Sequence, residues 1–164
     1  MHFRAAMAIP SVIIVVSFCG ACRQAPGTAR SMEQESNIRE AVFRYQMNEW
    51  SKNGPVSSLV CLDVMGTDPS DEFMKRLIPG AIRAIKASQC DRIQVHEYNR
   101  PAEKQTHQPA TILSEGEVHW ESDERAHLEG SYDCGMSCSG GFKFQVSKIH
   151  GKWTVVETTS LWVT

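Results

Sequence analysis

The last part of the chain, residues 131–164, constrains the fold most, because a turn signal there separates two runs with strand periodicity. Apolar and polar side chains alternate on both sides of His150-Gly151. A glycine at this point predicts a tight hairpin, because glycine accepts the positive φ of the turn. A two-residue loop pairs Ile149 with Lys152. This register predicts an apolar side made of Phe142, Phe144, Val146, Trp153, Val155 and Leu161.

Two earlier segments alternate in the same way, residues 111–120 and 126–133, and residues 122–124 form a turn between them. With the final hairpin they predict an antiparallel meander of about four long strands. Residues 36–50 carry an apolar helical stripe, and Ser36 is its predicted N-cap. The predicted fold class is therefore α+β, with the N-terminal helix packed on a curved antiparallel meander.

The middle of the chain predicts shorter elements. Residues 56–65 contain an apolar run that is typical of a strand. Asp68 followed by Pro69 predicts a helix start, with Asp68 as the N-cap, and the short helix ends near Leu77. Further helical turns are expected over 81–88. A strand is expected at 92–95, and the rest of the polar segment up to residue 108 is expected to be a loop.

The N-terminus has the pattern of a secretory signal peptide over residues 1–21, with one positive charge followed by an apolar run that is short for a membrane span. Gly20-Ala21-Cys22 resembles a bacterial lipobox, although Cys19 stands where that motif usually has leucine. The resemblance implies lipidation of Cys22 and an exported protein held on the membrane by its N-terminal lipid, in the periplasm or at the outer membrane. The alternative is ordinary cleavage after Ala21 or Ala25.

The remaining chain divides into two parts. Residues 22–35 are polar, contain proline and glycine, and predict an anchor with a flexible tether. Residues 36–164 predict one α+β domain. The order of a helix, short helices and long strands resembles the cone-shaped roll of nuclear transport factor 2 and its relatives, a group whose exported members end similarly to residues 151–156. That group includes both enzymes and binding domains, so the resemblance implies a fold and no particular activity.

Four cysteines follow Cys22, and an even number in an exported chain predicts two disulfides. Three pairings are possible, and we favour Cys61 with Cys90 and Cys134 with Cys138. A redox pair is the weaker interpretation, because the spacing of the last two cysteines differs from Cys-x-x-Cys. A zinc site made by Cys134 and Cys138 with His119 and His127 is a further alternative, and the prediction is that no metal or other cofactor is bound.

Polar side chains give two candidate sites. His119 and His127, with Glu117 and Glu129, form either a metal or acid–base cluster or an ordinary solvated sheet face. The predicted hairpin register places Glu157 on the apolar side, where a desolvated carboxylate could act as a general base. If the protein were an enzyme, Glu157 would be that base and Tyr132 its hydrogen-bonding partner.

Composition narrows the function classes. The formal net charge of −2 gives no basic surface for nucleic acid. The sequence favours a non-enzymatic binding module that recognises an unknown small molecule or an envelope protein. The alternatives are a small cavity enzyme, either a hydrolase or an isomerase, and a protein inhibitor that presents the loop over 135–141. An enzyme requires a deep polar pocket, a binding module an accessible patch, and an inhibitor a protruding loop.

Overall fold

The computed structural model describes residues 27–53, 58–77 and 82–164. These residues form two α-helices, eight strands and a short 3-10 helix, in the order α1 (Gly27–Asn53), β1 (Leu59–Val64), α2 (Asp71–Leu77), β2 (Arg83–Lys86), the 3-10 helix (Ala87–Gln89), β3 (Cys90–Val95), β4 (Tyr98–Glu103), β5 (Thr111–Ser122), β6 (Arg125–Gly135), β7 (Cys138–Ile149) and β8 (Lys152–Val163). The predicted signal peptide and Cys22 lie outside the described residues. No described helix is long and apolar enough to cross a membrane.

Six strands form one sheet in the order β2-β1-β5-β6-β7-β8, and β3 with β4 forms a separate antiparallel pair. Strand β1 runs parallel to β2 and β5, whereas β5 to β8 form an antiparallel meander. The α+β class is thus confirmed. The prediction of about four strands was too low, because it covered only the meander.

Helix α1 packs on one face of the sheet, which we call the covered face. Ile38 and Val42 of α1 are buried against Leu128, Phe144 and Val146 of the meander. A second group of buried side chains joins α1 to α2 and to strands β1 and β5: Phe43, Val60, Leu62, Phe73, Leu77 and Leu113. Helix α1 begins at Gly27, so the part of the predicted tether from this residue onward is helical.

The final hairpin confirms the predicted register and shows where that prediction failed. Ile149 pairs with Lys152 and Val146 with Val155. Gln145, however, pairs with Glu157, so Val156 is an extra residue that forms a β-bulge. A second extra residue, Leu161, is 46% exposed, so it does not belong to the apolar side.

The middle of the chain differs from the prediction in three places. The hydroxyl of Ser70 accepts the Phe73 N–H at 3.2 Å, so Ser70 caps α2. Asp68 instead accepts hydrogen bonds from the backbone and hydroxyl of Ser88, which ties the two ends of this region together. Residues 83–86 form strand β2 instead of a helix, because Ile85 buries its side chain beside Cys61 and Cys90.

The third difference is strand β4, where a loop was expected. The strand predicted at 92–95 is confirmed within β3, and β4 pairs with it in full register, from Cys90 with Glu103 to Val95 with Tyr98. Pro101 lies inside β4 opposite Arg92, and its carbonyl accepts the Ala110 N–H at 3.0 Å. Strand β4 has only one strand neighbour, and such an edge strand tolerates a residue without an N–H. This two-stranded sheet packs on the face of the large sheet opposite α1, where Cys61, Ile112 and Cys90 meet.

Candidate functional site

The face opposite α1, which we call the open face, contains a groove of about 540 Å³ at the end of the meander nearest β3. Cross-strand pairing places two rows of residues along it. One row runs Ser114, Ser131, Gly141 and Trp162 across β5 to β8, and the next contains Ile112, Asp133 and Ser139. Arg92 from β3 and Met136 from the β6–β7 turn complete the walls. The groove therefore combines hydroxyls, one ion pair and exposed apolar side chains.

Trp162 forms the apolar floor of this groove because it pairs with a glycine. A Cβ atom on Gly141 would lie 2.2 Å from Nε1 of Trp162 and 2.6 Å from its Cε2. The indole thus lies over the Gly141 backbone, in the space that any side chain there would occupy. Trp162 remains 48% exposed, so one part of its ring system rests on the sheet and the other is accessible to a ligand.

The polar wall of the groove is an ion pair between Arg92 and Asp133. The other carboxylate oxygen of Asp133 accepts the Gly135 N–H at 2.8 Å. Both contacts fix the carboxylate in place, and a carboxylate still has lone pairs for further donors. The hydroxyl of Ser139 lies 2.8 Å from that of Thr164, which ties the end of the chain to β7.

The β6–β7 turn is braced on two sides. The Cα atoms of Cys134 and Cys138 are 5.3 Å apart, and the two cysteines form a disulfide. Gly135 has φ +90°, and a Cβ there would lie 2.8 Å from the backbone of β4, at Arg100 and Asn99. Met136, which follows with φ 47°, is 67% exposed. The turn holds Met136 at the rim of the groove and rests on β4.

The other favoured cysteine pair is also at disulfide distance, with the Cα atoms of Cys61 and Cys90 6.3 Å apart. This disulfide links β1 to the start of β3 and so holds the two-stranded sheet on the open face. Within the described residues, no group of three or more histidine, cysteine or acidic side chains is placed to hold a metal ion.

The covered face contains a buried polar cluster that the sequence did not indicate. Glu115 is fully enclosed, with one carboxylate oxygen 3.6 Å from Nη1 of Arg39. That Arg39 nitrogen also donates to the Gly116 carbonyl at 2.7 Å, and another donates to Glu35 at 2.7 Å. Gln46, about two helical turns further along α1, is completely buried, and neither its side-chain oxygen nor its nitrogen has a hydrogen-bond partner among the described residues.

Burial raises the pKa of the Glu115 carboxyl well above its ordinary value, and Arg39 opposes that shift only in part. A cavity of about 260 Å³ lies beside this cluster and is lined by Glu35 and Arg39, with Phe73 and Val64. Glu115 itself does not line that cavity. Burial therefore favours the protonated form of this acid, but Arg39, and not Glu115, reaches the cavity.

The two residues predicted for an enzyme do not come together. Glu157 pairs with Gln145, whose neighbours across the sheet belong to the open face, and it is exposed. The prediction that it lies on the apolar side was wrong, because the bulge at Val156 reverses the facing of the residues that follow. Tyr132 lies on the covered face, where it stacks on Phe142 at a ring-centroid distance of 6.0 Å.

The histidine pair lies on the open face, away from the groove. His119 and His127 are directly paired and their rings stack at 5.1 Å. Nδ1 of His127 lies 3.0 Å from a carboxylate oxygen of Glu121, which lowers the pKa of that carboxyl through the shared hydrogen bond. The carboxylate partner of His127 is therefore Glu121, and Glu129 lies opposite Lys143 in the cross-strand register.

Sequence reasoning missed both Glu115 and the groove. Strict alternation in β5 put Glu115 with the polar residues, but the pairs Glu115–Gly130 and Val118–Leu128 leave one extra residue in β5, a bulge that turns Glu115 inward. The available signal for the groove was the Gly140-Gly141 pair in a strand, since glycine inside a strand often marks a close approach of another group.

Comparison of the chain with protein families, with curated proteins and with solved structures finds no match.

Proposed function

We propose that this protein is a non-enzymatic binding module, exported and anchored by a lipid on Cys22, and that the groove on the open face is its ligand site. The observation that supports this proposal is the placement of Trp162 over Gly141 beside the Arg92–Asp133 pair. Ligand sites commonly combine an aromatic or apolar surface with a few fixed polar groups, and the volume of about 540 Å³ lies within their usual range.

The enzyme alternative has less support from the described residues. Tyr132 borders the groove but packs toward the covered face, and Glu157 does not line the groove, so the two do not form one site there. Glu115 has the raised pKa of a possible general acid, but it does not line the cavity that Arg39 borders. A general acid or base has to reach the reacting atom within hydrogen-bonding distance or through one water.

The inhibitor alternative also has less support. The turn that would insert into a target's cleft rests on β4, as the close approach of Gly135 to Arg100 and Asn99 indicates. An inhibitory loop of this type needs to project freely from its domain. The exposed side chain of Met136 fits a different role, the rim of the groove.

Two-dimensional NMR with a library of small polar and aromatic fragments tests the proposed site. We expect the backbone amide shifts to cluster at Ser131, Met136 and Trp162, and to disappear in Trp162→Ala. Glu157→Gln is the matched control on the same face, and it should leave the shifts intact. Shifts that cluster around Arg39 and Phe73, at the 260 Å³ cavity, would move the site to the other side of the sheet.

A further inference from the structure

We propose that the ligand of the groove is a neutral saccharide, with one sugar ring stacked on the indole of Trp162. This inference rests on the proposed function, because it assigns a ligand class to the same groove. It follows from three properties of the site: a flat aromatic surface, donors and acceptors beside it, and no net charge.

The first property is the aromatic surface. Because Gly141 has no side chain, the indole of Trp162 lies along the sheet instead of standing away from it. Its 48% exposure leaves ring surface open to solvent. The face of an aromatic ring is electron-rich and attracts the positively polarised C–H groups on the apolar side of a sugar ring.

The second property is the mixture of hydrogen-bonding groups around the ring. Ser131 and Ser114 lie next to Gly141 in the same cross-strand row, and Ser139 lies in the neighbouring row. A hydroxyl both donates and accepts, and the carboxylate of Asp133 adds an acceptor while Arg92 adds donors. A sugar presents adjacent hydroxyls that also donate and accept. The hydroxyls along the edge of a sugar ring therefore find donors and acceptors among these side chains.

The third property is the charge. Arg92 and Asp133 neutralise each other across the groove wall, and among the described residues no other acidic or basic side chain lines it. Proteins usually bind phosphate or sulfate through an arginine that is free to make two parallel hydrogen bonds. Arg92 is already paired with Asp133, so it is not free for such a group. The groove therefore matches an uncharged ligand.

A peptide fits the groove less well. Extended peptides commonly bind by adding a strand to a free sheet edge, where main-chain groups are unpaired. The groove crosses β5, β6 and β7, which have neighbours on both sides, and ends at Trp162 of the edge strand β8. A peptide lying in the groove across β5, β6 and β7 would gain only side-chain contacts there, because the main-chain groups of these strands already serve the sheet.

Isothermal titration calorimetry of the purified exported protein tests the inference, with cellotetraose, maltotetraose and chitotetraose as probes, and tetra-alanine and glucose 6-phosphate as comparisons. We expect at least one neutral tetrasaccharide to bind, and Trp162→Ala to weaken it by about tenfold or more. Gly141→Ala keeps the tryptophan but displaces its ring, and we expect a similar loss. Leu161→Ala, which removes an exposed apolar neighbour, is the control and should bind as the unmodified protein does.

The possible outcomes separate the ligand class from the site. Binding of tetra-alanine or glucose 6-phosphate that depends on Trp162, without binding of any tetrasaccharide, would overturn the saccharide inference and leave the groove as the ligand site. Saccharide binding that is unaffected by both Trp162→Ala and Gly141→Ala would also overturn it. Absence of binding by all five probes, with no fragment shifts in the groove, would overturn the proposed function as well.

Discussion

Both faces of the large sheet carry acidic and arginine side chains, which are buried on the covered face and accessible on the open face. On the covered face, α1 encloses an acid, an arginine and an amide, and two of the three have side-chain atoms without a hydrogen-bond partner among the described residues. On the open face, Asp133 and Arg92 are paired and reachable beside an exposed indole. The difference teaches that a buried ionisable group alone does not identify a ligand site, because access decides whether its chemistry can be used.

Glu115 and Glu157 show this difference in accessibility most directly. Strict alternation of the strands predicts Glu115 on the polar side and Glu157 on the apolar side. One bulge in each strand reverses both assignments, so Glu115 is buried and Glu157 is exposed. The same substitution, glutamate to glutamine, can therefore be used on both faces to separate the effect of burial from that of chemistry.

The largest expected effect is loss of packing on the covered face. Phe144 is completely buried and contacts the rings of Tyr45 and Phe142. Phe144→Ala should lower the free energy of unfolding by about 3–5 kcal/mol, because it leaves a cavity that the core fills only in part. Chemical denaturation measures this, and Thr159→Ala on the exposed side of β8 is the control. A loss below about 1 kcal/mol would contradict the assignment of this face as the core.

The next effect concerns the disulfide that holds β3 to the open face. Replacing Cys61 and Cys90 by alanine opens a loop with a sequence separation of 29, which should cost about 3–4 kcal/mol in the chain-entropy account. Replacing Cys134 and Cys138, with a separation of 4, should cost only about 2 kcal/mol. Thermal unfolding of the two double variants measures both losses of stability. A larger loss for the Cys134–Cys138 variant would contradict this account of the disulfides.

A smaller effect, of opposite sign, is expected for the buried acid. The raised pKa of Glu115 means that the folded state holds its proton over a pH range in which the unfolded state has released it. Its contribution to stability is therefore most favourable below the unfolded pKa and falls as the pH rises toward the folded pKa. Glu115→Gln removes this loss and should stabilise the protein at pH 7, within the roughly 1–3 kcal/mol typical of a buried polar group without a partner.

The pH dependence distinguishes this explanation from a general effect of the substitution. The gain from Glu115→Gln should shrink as the pH is lowered toward 4, because both states then hold the proton. A gain that grows at low pH would show that Glu115 is ionised in the folded protein and paired with Arg39. Stability curves at a series of pH values, measured by urea denaturation, decide between the two.

The smallest effect is expected for the matched substitution on the open face. Glu157 is exposed, so Glu157→Gln should change the free energy of unfolding by no more than about 0.5 kcal/mol. Urea denaturation at pH 7 measures it beside Glu115→Gln. A clear stabilisation would indicate that Glu157 is desolvated, in conflict with its pairing with Gln145.

The sequence predicted the hairpin turn and the cysteine pairs, because both depend on recognisable residue types at known positions. The His150-Gly151 turn set the register of the hairpin near the turn, and the cysteine positions led to the two pairs found at disulfide distance. The resemblance to the nuclear transport factor 2 roll, the lipid anchor and the cell compartment stay predictions. The sheet face on which Glu115 and Glu157 lie could not be predicted. A single extra residue moves the side chains that follow it to the other face, and it leaves no clear sign in the alternation.

The groove could not be predicted from the sequence for a related reason. It is assembled from β3, β5, β6, β7 and β8, which are brought together by pairings far apart in the chain. Strand β4, which supports the β6–β7 turn, was itself expected to be a loop because it is polar and contains Pro101. Its pairing with β3 gives it a stability that local propensity does not supply.

The most direct test of the central claim is fluorine NMR of the protein labelled with 5-fluorotryptophan, during titration with chitotetraose, cellotetraose and maltotetraose together. Trp162 belongs to the open face, whereas Trp120 and Trp153 pack edge-to-face on the covered side, with ring centroids 5.7 Å apart. Substituting each tryptophan by phenylalanine assigns the resonances. The account predicts that the Trp162 resonance shifts and saturates while those of Trp120 and Trp153 stay in place. A saturating shift of Trp120 or Trp153 with Trp162 unchanged would contradict it.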